Sequence, residues 1–180
     1  MRAMATKRGG RCAGAWVITG GASGFGREFA RRLAARGEQL VLWDLDRSAL
    51  ARAAAELGVG VYTDVVDVRD PEALVEAAKR ARAAVGPLGH VANCAGVLRV
   101  GSLGGLDASA GELMWKLHVG AATQLADRLL PAMSAAGAGR MVLVGSRVSG
   151  GIAGRSQDAA SKAALVSLAR RYGLPVRPPG

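Results

Sequence analysis

Short apolar runs alternate along this chain with longer stretches in which Ala, Leu and charged side chains recur at helical spacing. The runs fall near 15–19, 39–44, 60–66 and 88–93. Each has strand length and is bounded by turn residues, the pattern of strands buried on both faces. Helical patterns cover 24–36, 47–57 and 71–85. Asp70-Pro71-Glu72 opens the third with a capping acid, a proline in the first turn and a second acid near the positive end of the helix dipole. A longer helix is predicted from about 110 to 133, because Leu113, Leu117, Ala121, Leu125 and Leu129 recur every fourth residue; Pro131 and Gly137-Ala138-Gly139 should end it. Met141-Val142-Leu143-Val144 predicts a fifth strand, followed by a Ser/Gly loop over 145–156 and a last helix over 157–171. Strand and helix in alternation mean a parallel sheet. Right-handed crossovers then give a doubly wound α/β sheet of five strands with flanking helices, its ligand side at the carboxyl ends of the strands.

The first strand runs into Thr19-Gly20-Gly21-Ala22-Ser23-Gly24-Phe25-Gly26. Glycines at 20, 24 and 26 let the main chain bend and approach a ligand closely, and the amides opening the next helix favour an anion. Asp44 ends the second strand twenty residues after Gly24. A carboxylate there accepts hydrogen bonds from an adenosine ribose in a Rossmann-type unit, which makes a dinucleotide pyrophosphate the expected anion. With 26 glycines in the chain, a glycine cluster alone is as readily a turn. The order strand, turn, helix, strand, acid is what discriminates.

Half of the 180 residues are hydrophobic and only 4% aromatic, so Ala, Val, Leu and Gly must fill the core of one domain. No apolar stretch reaches the eighteen or so residues of a membrane helix, and the expectation is a soluble cytoplasmic protein. The formal charge of +10 raises the question of nucleic acid. Four of the basic residues, Arg2, Lys7, Arg8 and Arg11, sit in an acid-free leader, 1–13, expected to be disordered; the rest are scattered among acids on helices, the pattern of a solvated surface. Cys12 and Cys94 are too few and too far apart for a disulfide framework or a zinc site, and no metal is expected. Cys94 reads as a small buried thiol.

With Asp67 after the third strand, Asn93-Cys94-Ala95-Gly96 after the fourth, Gly145-Ser146 after the fifth and Ala159-Ala160-Ser161-Lys162-Ala163-Ala164 in the last helix, the chain resembles the short-chain dehydrogenase/reductase family over about residues 14–170. The resemblance implies that Gly20, Ser23, Gly24, Phe25 and Gly26 hold the pyrophosphate side of a nicotinamide cofactor and Asp44 its adenosine ribose. Asp67 and Val68 would contact the adenine, Asn93, Ala95 and Gly96 the region below the nicotinamide ribose, and Lys162 the hydroxyls of that ribose. Structural roles stand beside these: Asp67 could cap the turn near 71, and Asn93 could tie two strand ends together. NAD is expected over NADP, since Asp44 would repel a 2′-phosphate.

In the family a tyrosine four residues before the lysine does the chemistry, with a serine that polarises the substrate carbonyl and an asparagine that supports a proton relay. Lys162 and Ser146 match; Asp158 stands at the tyrosine position and Leu117, beside His118, at that of the asparagine. A phenol of pKa near 10 beside an ammonium can release and regain a proton near working pH, whereas an ordinary aspartic acid, near 3.9, has none to give. Asp158 and Lys162 are also spaced for an i,i+4 ion pair of about 0.3–0.5 kcal/mol. The family continues with a further strand and a substrate-covering segment where this chain has a proline-rich tail, 173–180, after a nucleotide-binding domain over 14–172. The implied activity is hydride transfer on a small alcohol or ketone, impaired at its acid. The alternatives are an inactive nucleotide- or partner-binding protein and slow turnover with His118 or water as acid. Self-association is expected through the edge of the fifth strand and the leucine face of the long helix.

Overall fold

Parallel strands need cover on both faces, and here aliphatic strands meet alanine-rich helices. The computed structural model describes residues 14–58 and 60–173. The basic leader with Cys12, and the tail after Gly173, lie outside the described residues. Five strands, β1 (Ala15–Thr19), β2 (Leu40–Asp44), β3 (Val61–Val65), β4 (Leu88–Asn93) and β5 (Arg140–Leu143), form one parallel sheet in the order β3-β2-β1-β4-β5. The helices are α1 (Gly24–Ala34), α2 (Arg47–Leu57), α3 (Pro71–Val85), α4 (Ala108–Trp115), α5 (Ala121–Ala135) and α6 (Ser156–Tyr172). The chain reverses its direction of travel across the sheet between β1 and β4, and that switch point opens a crevice at the carboxyl ends of the strands.

Successive side chains of a strand face opposite ways. Val17, Val41 and Val91 therefore join one core with Leu74, Leu125 and Leu129, while Ile18, Leu42 and Ala92 join another with Leu33 and Leu50. The helices start as the sequence predicts: Asp46 accepts from the Ala49 amide (2.9 Å), and Asp70 from those of Glu72 and Ala73 (2.9 and 3.2 Å). Among the described residues no helix is long and apolar enough to cross a membrane.

The long helix departs from expectation in three ways. Asp107 caps it at Ser109 and Ala110, so it begins earlier, and a π-helical turn at Lys116–Gly120 divides it into α4 and α5. Pro131 does not end it: the helix runs on to Ala135. Pro131 and Asp127 are both exposed, so the carbonyl that loses its amide partner can turn to water while buried Leu129 and Met133 hold the helix to the core. The expected sticky leucine face also points inward, with Leu125 and Leu129 fully buried and Leu117 packed on the same core. β5 is an edge strand, as expected, with β4 as its neighbour in the sheet.

Candidate functional site

A cleft of about 370 Å³ opens at the carboxyl ends of the strands. It is lined by Gly20, Ser23, Gly24, Phe25, Gly26, Asp44, Asp67, Val68, Ala95 and Gly96, all singled out in the sequence, together with Trp43, Leu45, Val66, Cys94, Val97 and Leu117. Asn93 ends β4 beneath it; Ser146 lies in the loop after β5, and Asp158 and Lys162 lie on α6.

The glycine turn is held by its own geometry. Gly20 has φ +63°, a region that favours glycine, and a Cβ on Gly26 would run into the Gly20 carbonyl oxygen. Ser23 precedes α1 in extended conformation without a capping bond from its side chain. Asp44 braces the turn from β2: one carboxylate oxygen accepts from the Ala22 amide (3.1 Å), the other from Leu45 (2.8 Å). The carboxylate expected to meet a ribose thus also fixes the distance between turn and strand.

Thr19 and Asn93 are register partners in the β1–β4 pairing. The Thr19 hydroxyl donates to Asn93 Oδ1 (2.7 Å) and accepts from the amides of Cys94 and Ala95 (3.1 Å each). Both side chains are buried. In this structure the Asn93 carboxamide oxygen ties two strand ends together, while Ala95 and Gly96 form the cleft wall. Asp67 does not cap α3, which Asp70 does; its carboxylate engages the amide and guanidinium of Arg69 (2.6–3.1 Å), and that bond holds its pKa below the usual range.

Beside the cleft, Lys162 Nζ donates to the Val144 carbonyl (3.1 Å). Burial lowers the lysine pKa, opposed in part by the charge of Asp158. Among the described residues the Asp158 carboxylate and the Lys162 ammonium do not come within 4 Å, so the expected i,i+4 ion pair is not formed: the ammonium is drawn to the Val144 carbonyl just after β5 instead. Asp158 itself is buried, at 5% exposure. Ser146 is exposed; its Oγ accepts from the Val148 amide (3.3 Å), which leaves the hydroxyl proton available to another acceptor.

His118 is 1% exposed, and its Nδ1 lies 2.9 Å from Ser161 Oγ, which is also 3.0 Å from the Asp158 carbonyl. The imidazole and the Ser161 hydroxyl therefore share one hydrogen bond, whose direction depends on the ring tautomer. Burial, then the charge of Lys162, pushes the His118 pKa down to about 4. Neutral His118 can accept a proton but is poorly placed to supply one at neutral pH. Cys94 has its pKa pushed up to about 11 by burial, so it faces the cleft as a thiol.

Residues 15–180 match the short chain dehydrogenase family, and the chain belongs to it. It is 39% identical over 166 residues to galactitol 2-dehydrogenase (L-tagatose-forming) of Cereibacter sphaeroides, a match covering 89% of this chain and 63% of that protein. Over 97 residues it is 39% identical to 2-dehydro-3-deoxy-L-rhamnonate dehydrogenase (NAD(+)) of Sphingomonas sp. (strain SKA58), covering 54% of this chain and 37% of that one. The crystal structure of a short-chain dehydrogenase from Streptomyces avermitilis superposes with a TM-score of 0.81 at 30% identity, over 88% of this chain and 59% of its own. The chain therefore spans less than two thirds of the length of each of these relatives.

Proposed function

We propose that the cleft binds NAD and that the chain is an oxidoreductase, moving hydride between the nicotinamide and an alcohol or carbonyl substrate, with its proton-transfer step impaired. The observation that carries the reading is the glycine turn braced by Asp44: a tight turn closed by the approach of Gly26 to the Gly20 carbonyl, at the amino end of α1, with a carboxylate at the edge of the cleft. Residues 20–26 would hold the diphosphate and Asp44 the adenosine ribose. The Sphingomonas relative is an NAD(+) enzyme by name, which supports NAD over NADP. The bound nicotinamide supplies the hydride acceptor or donor.

The chain's own residues do the rest. The Ser146 hydroxyl proton is free to polarise a carbonyl, and Lys162, positioned by Val144, would bind the nicotinamide ribose. Asp158, placed by resemblance where the proton donor belongs, puts a shorter carboxyl side chain where the family has a phenol. A nucleotide-binding protein without turnover is the second reading, favoured by the same residue and by the neutral His118. The edge of β5 supports self-association, and with two cysteines in the chain a cytoplasmic setting fits.

Titration of the purified protein with NAD and NADP, followed by a panel of secondary alcohols and ketones, tests both readings. NAD should bind at least tenfold more tightly than NADP, with the preference lost in Asp44→Ala. Equal affinity in the parent chain removes the NAD reading, and binding without turnover selects the second one.

A further inference from the structure

Two loops at the carboxyl ends of β4 and β5 share a surface that water alone does not explain. Residues 97–106 and 147–155 hold no acid. Their only charged side chains are Arg99, Arg147 and Arg155, and among the described residues none of the three is paired with a carboxylate. On the same loops five aliphatic side chains are exposed: Leu98, Val100, Leu103, Leu106 and Ile152, with Leu103 at 88%, Val100 at 69% and Ile152 at 51%. The two loops are joined. The Gly101 amide donates to the Gly154 carbonyl (3.1 Å), Leu106 lies against Gly101, and Val100 lies against Gly154. Leu103 stands in a turn closed by the bond from the Gly105 amide to the Ser102 carbonyl (3.1 Å). Neighbouring acids do not offset the arginines. Asp107, just past the first loop, is engaged by the amides of Ser109 and Ala110, and from Arg128 to Gly173 the only acid is Asp158, which is buried.

We propose that these loops are a docking surface for an anionic lipid bilayer, touched from one side. Among the described residues no helix can span a membrane, so the contact is peripheral. Clustered exposed aliphatic groups mark an interaction surface, and arginines set among them match the layering of a bilayer: hydrocarbon for Leu103 and its neighbours, headgroup phosphates for the guanidinium groups, whose stems lie along the apolar layer. Gly96 and Val97 line the cleft and Ser146 precedes the second loop, so docking brings the mouth of the cleft to the lipid. Neither bound nucleotide nor turnover is needed for it.

The full chain is cosedimented with vesicles of phosphatidylcholine alone and of phosphatidylcholine with about 30% phosphatidylserine. Binding should favour the anionic vesicles at least tenfold and weaken at least tenfold as salt is raised to about 0.5 M. Arg99→Gln combined with Arg147→Gln should weaken it roughly 25-fold, at about fivefold per arginine. Leu103→Asp should weaken it at least tenfold, whereas Leu103→Phe keeps it. In the parent chain, anionic vesicles should slow amide exchange across 98–106, a readout that needs no variant to fold. Equal binding to both vesicles, or unchanged exchange across 98–106 at saturation, would overturn the proposal. Anionic binding indifferent to Leu103→Asp and to the arginine pair would place the contact on the basic leader and overturn it too. So would a chain that ignores vesicles and binds duplex DNA through the same arginines.

Discussion

Removing one hydroxyl, that of Thr19, should loosen both the sheet and the cleft. Thr19→Val keeps the shape of the side chain and deletes three buried hydrogen bonds at once: to Asn93 Oδ1 at 2.7 Å and from the Cys94 and Ala95 amides at 3.1 Å each. A net value of about 0.5–1.5 kcal/mol per bond sums to roughly 1.5–4.5 kcal/mol, and the middle of the range applies because the Asn93 oxygen stays behind buried while the two amides are only part-buried. Thr19 is 0% and Asn93 3% exposed, which closes the route to compensating solvent for the Asn93 oxygen. A loss of about 3 kcal/mol is a large share of the roughly 5–15 kcal/mol by which domains are stable, and for this length it lowers Tm by about 6–12 °C. Urea unfolding and calorimetry read the stability; amide exchange at Cys94 and Ala95 should quicken beyond the global change. Thr19→Ser, which keeps the hydroxyl, should fall well short of that loss. A Thr19→Val protein within 0.5 kcal/mol of the parent, with those amides equally protected, would refute the argument that this network holds the floor of the cleft.

Gly26→Ala should abolish measurable dinucleotide binding and cost about 1–3 kcal/mol, since its Cβ meets a backbone oxygen that cannot swing aside, whereas Gly105→Ala, in open space, should change stability by less than about 0.5 kcal/mol; calorimetric titration of both variants decides. His118, whose folded pKa is depressed to about 4 from an ordinary 6.5, makes stability fall as pH drops through that window: the unfolded chain takes up a proton that the folded chain refuses. The difference amounts to about 3 kcal/mol relative to His118→Asn, and parallel urea curves for the two proteins between pH 7 and pH 4 would contradict it. Asp158→Tyr should raise dehydrogenase turnover by at least tenfold, a part of the roughly 10²–10⁴-fold that general acids typically supply, while Asp158→Ala leaves it unchanged. Robust parent turnover that vanishes in Ser146→Ala and survives Asp158→Ala would assign the proton elsewhere.

The strands were legible because β1 and β4 are buried along their whole length and β2 up to Asp44, so their apolar runs stand out and end at Thr19-Gly20, at Asp44 and at Asn93. The cleft was legible for a related reason: its glycines and Asp44 are close in sequence, and one strand–turn–helix unit defines them. What could not be read depends on partners brought from afar. That Asn93 could tie two strand ends was legible, but its partner Thr19, 74 residues away, was not, since the two meet only because the parallel register aligns them. The spacing of Asp158 and Lys162 is visible in the sequence, yet the lysine goes to Val144 on another element. The turn at Lys116–Gly120 leaves the four-residue leucine spacing intact as a pattern of letters, so nothing in periodicity announces it.

The two halves of the site are fastened by different bonds, and this bears on how a member of the family could keep one without the other. The binding half hangs on β1, β2 and β4: the Thr19 network, the brace from Asp44 to Ala22 and the close approach of Gly26 to Gly20. None of these contacts involves α6. The residues proposed for chemistry hang instead on the end of β5 and on α6, where Lys162 bonds Val144 and the His118–Ser161–Asp158 chain fixes the helix against the π-helical turn. In that chain the Asp158 group accepting from Ser161 is its backbone carbonyl, so the identity of the side chain at 158 is not what holds the helix in place. A change there alters the proton chemistry while leaving the cleft and the fold of α6 standing. On the proposed function, nucleotide binding and turnover would therefore be separable in this architecture, and a change at position 158 would remove the second without removing the first.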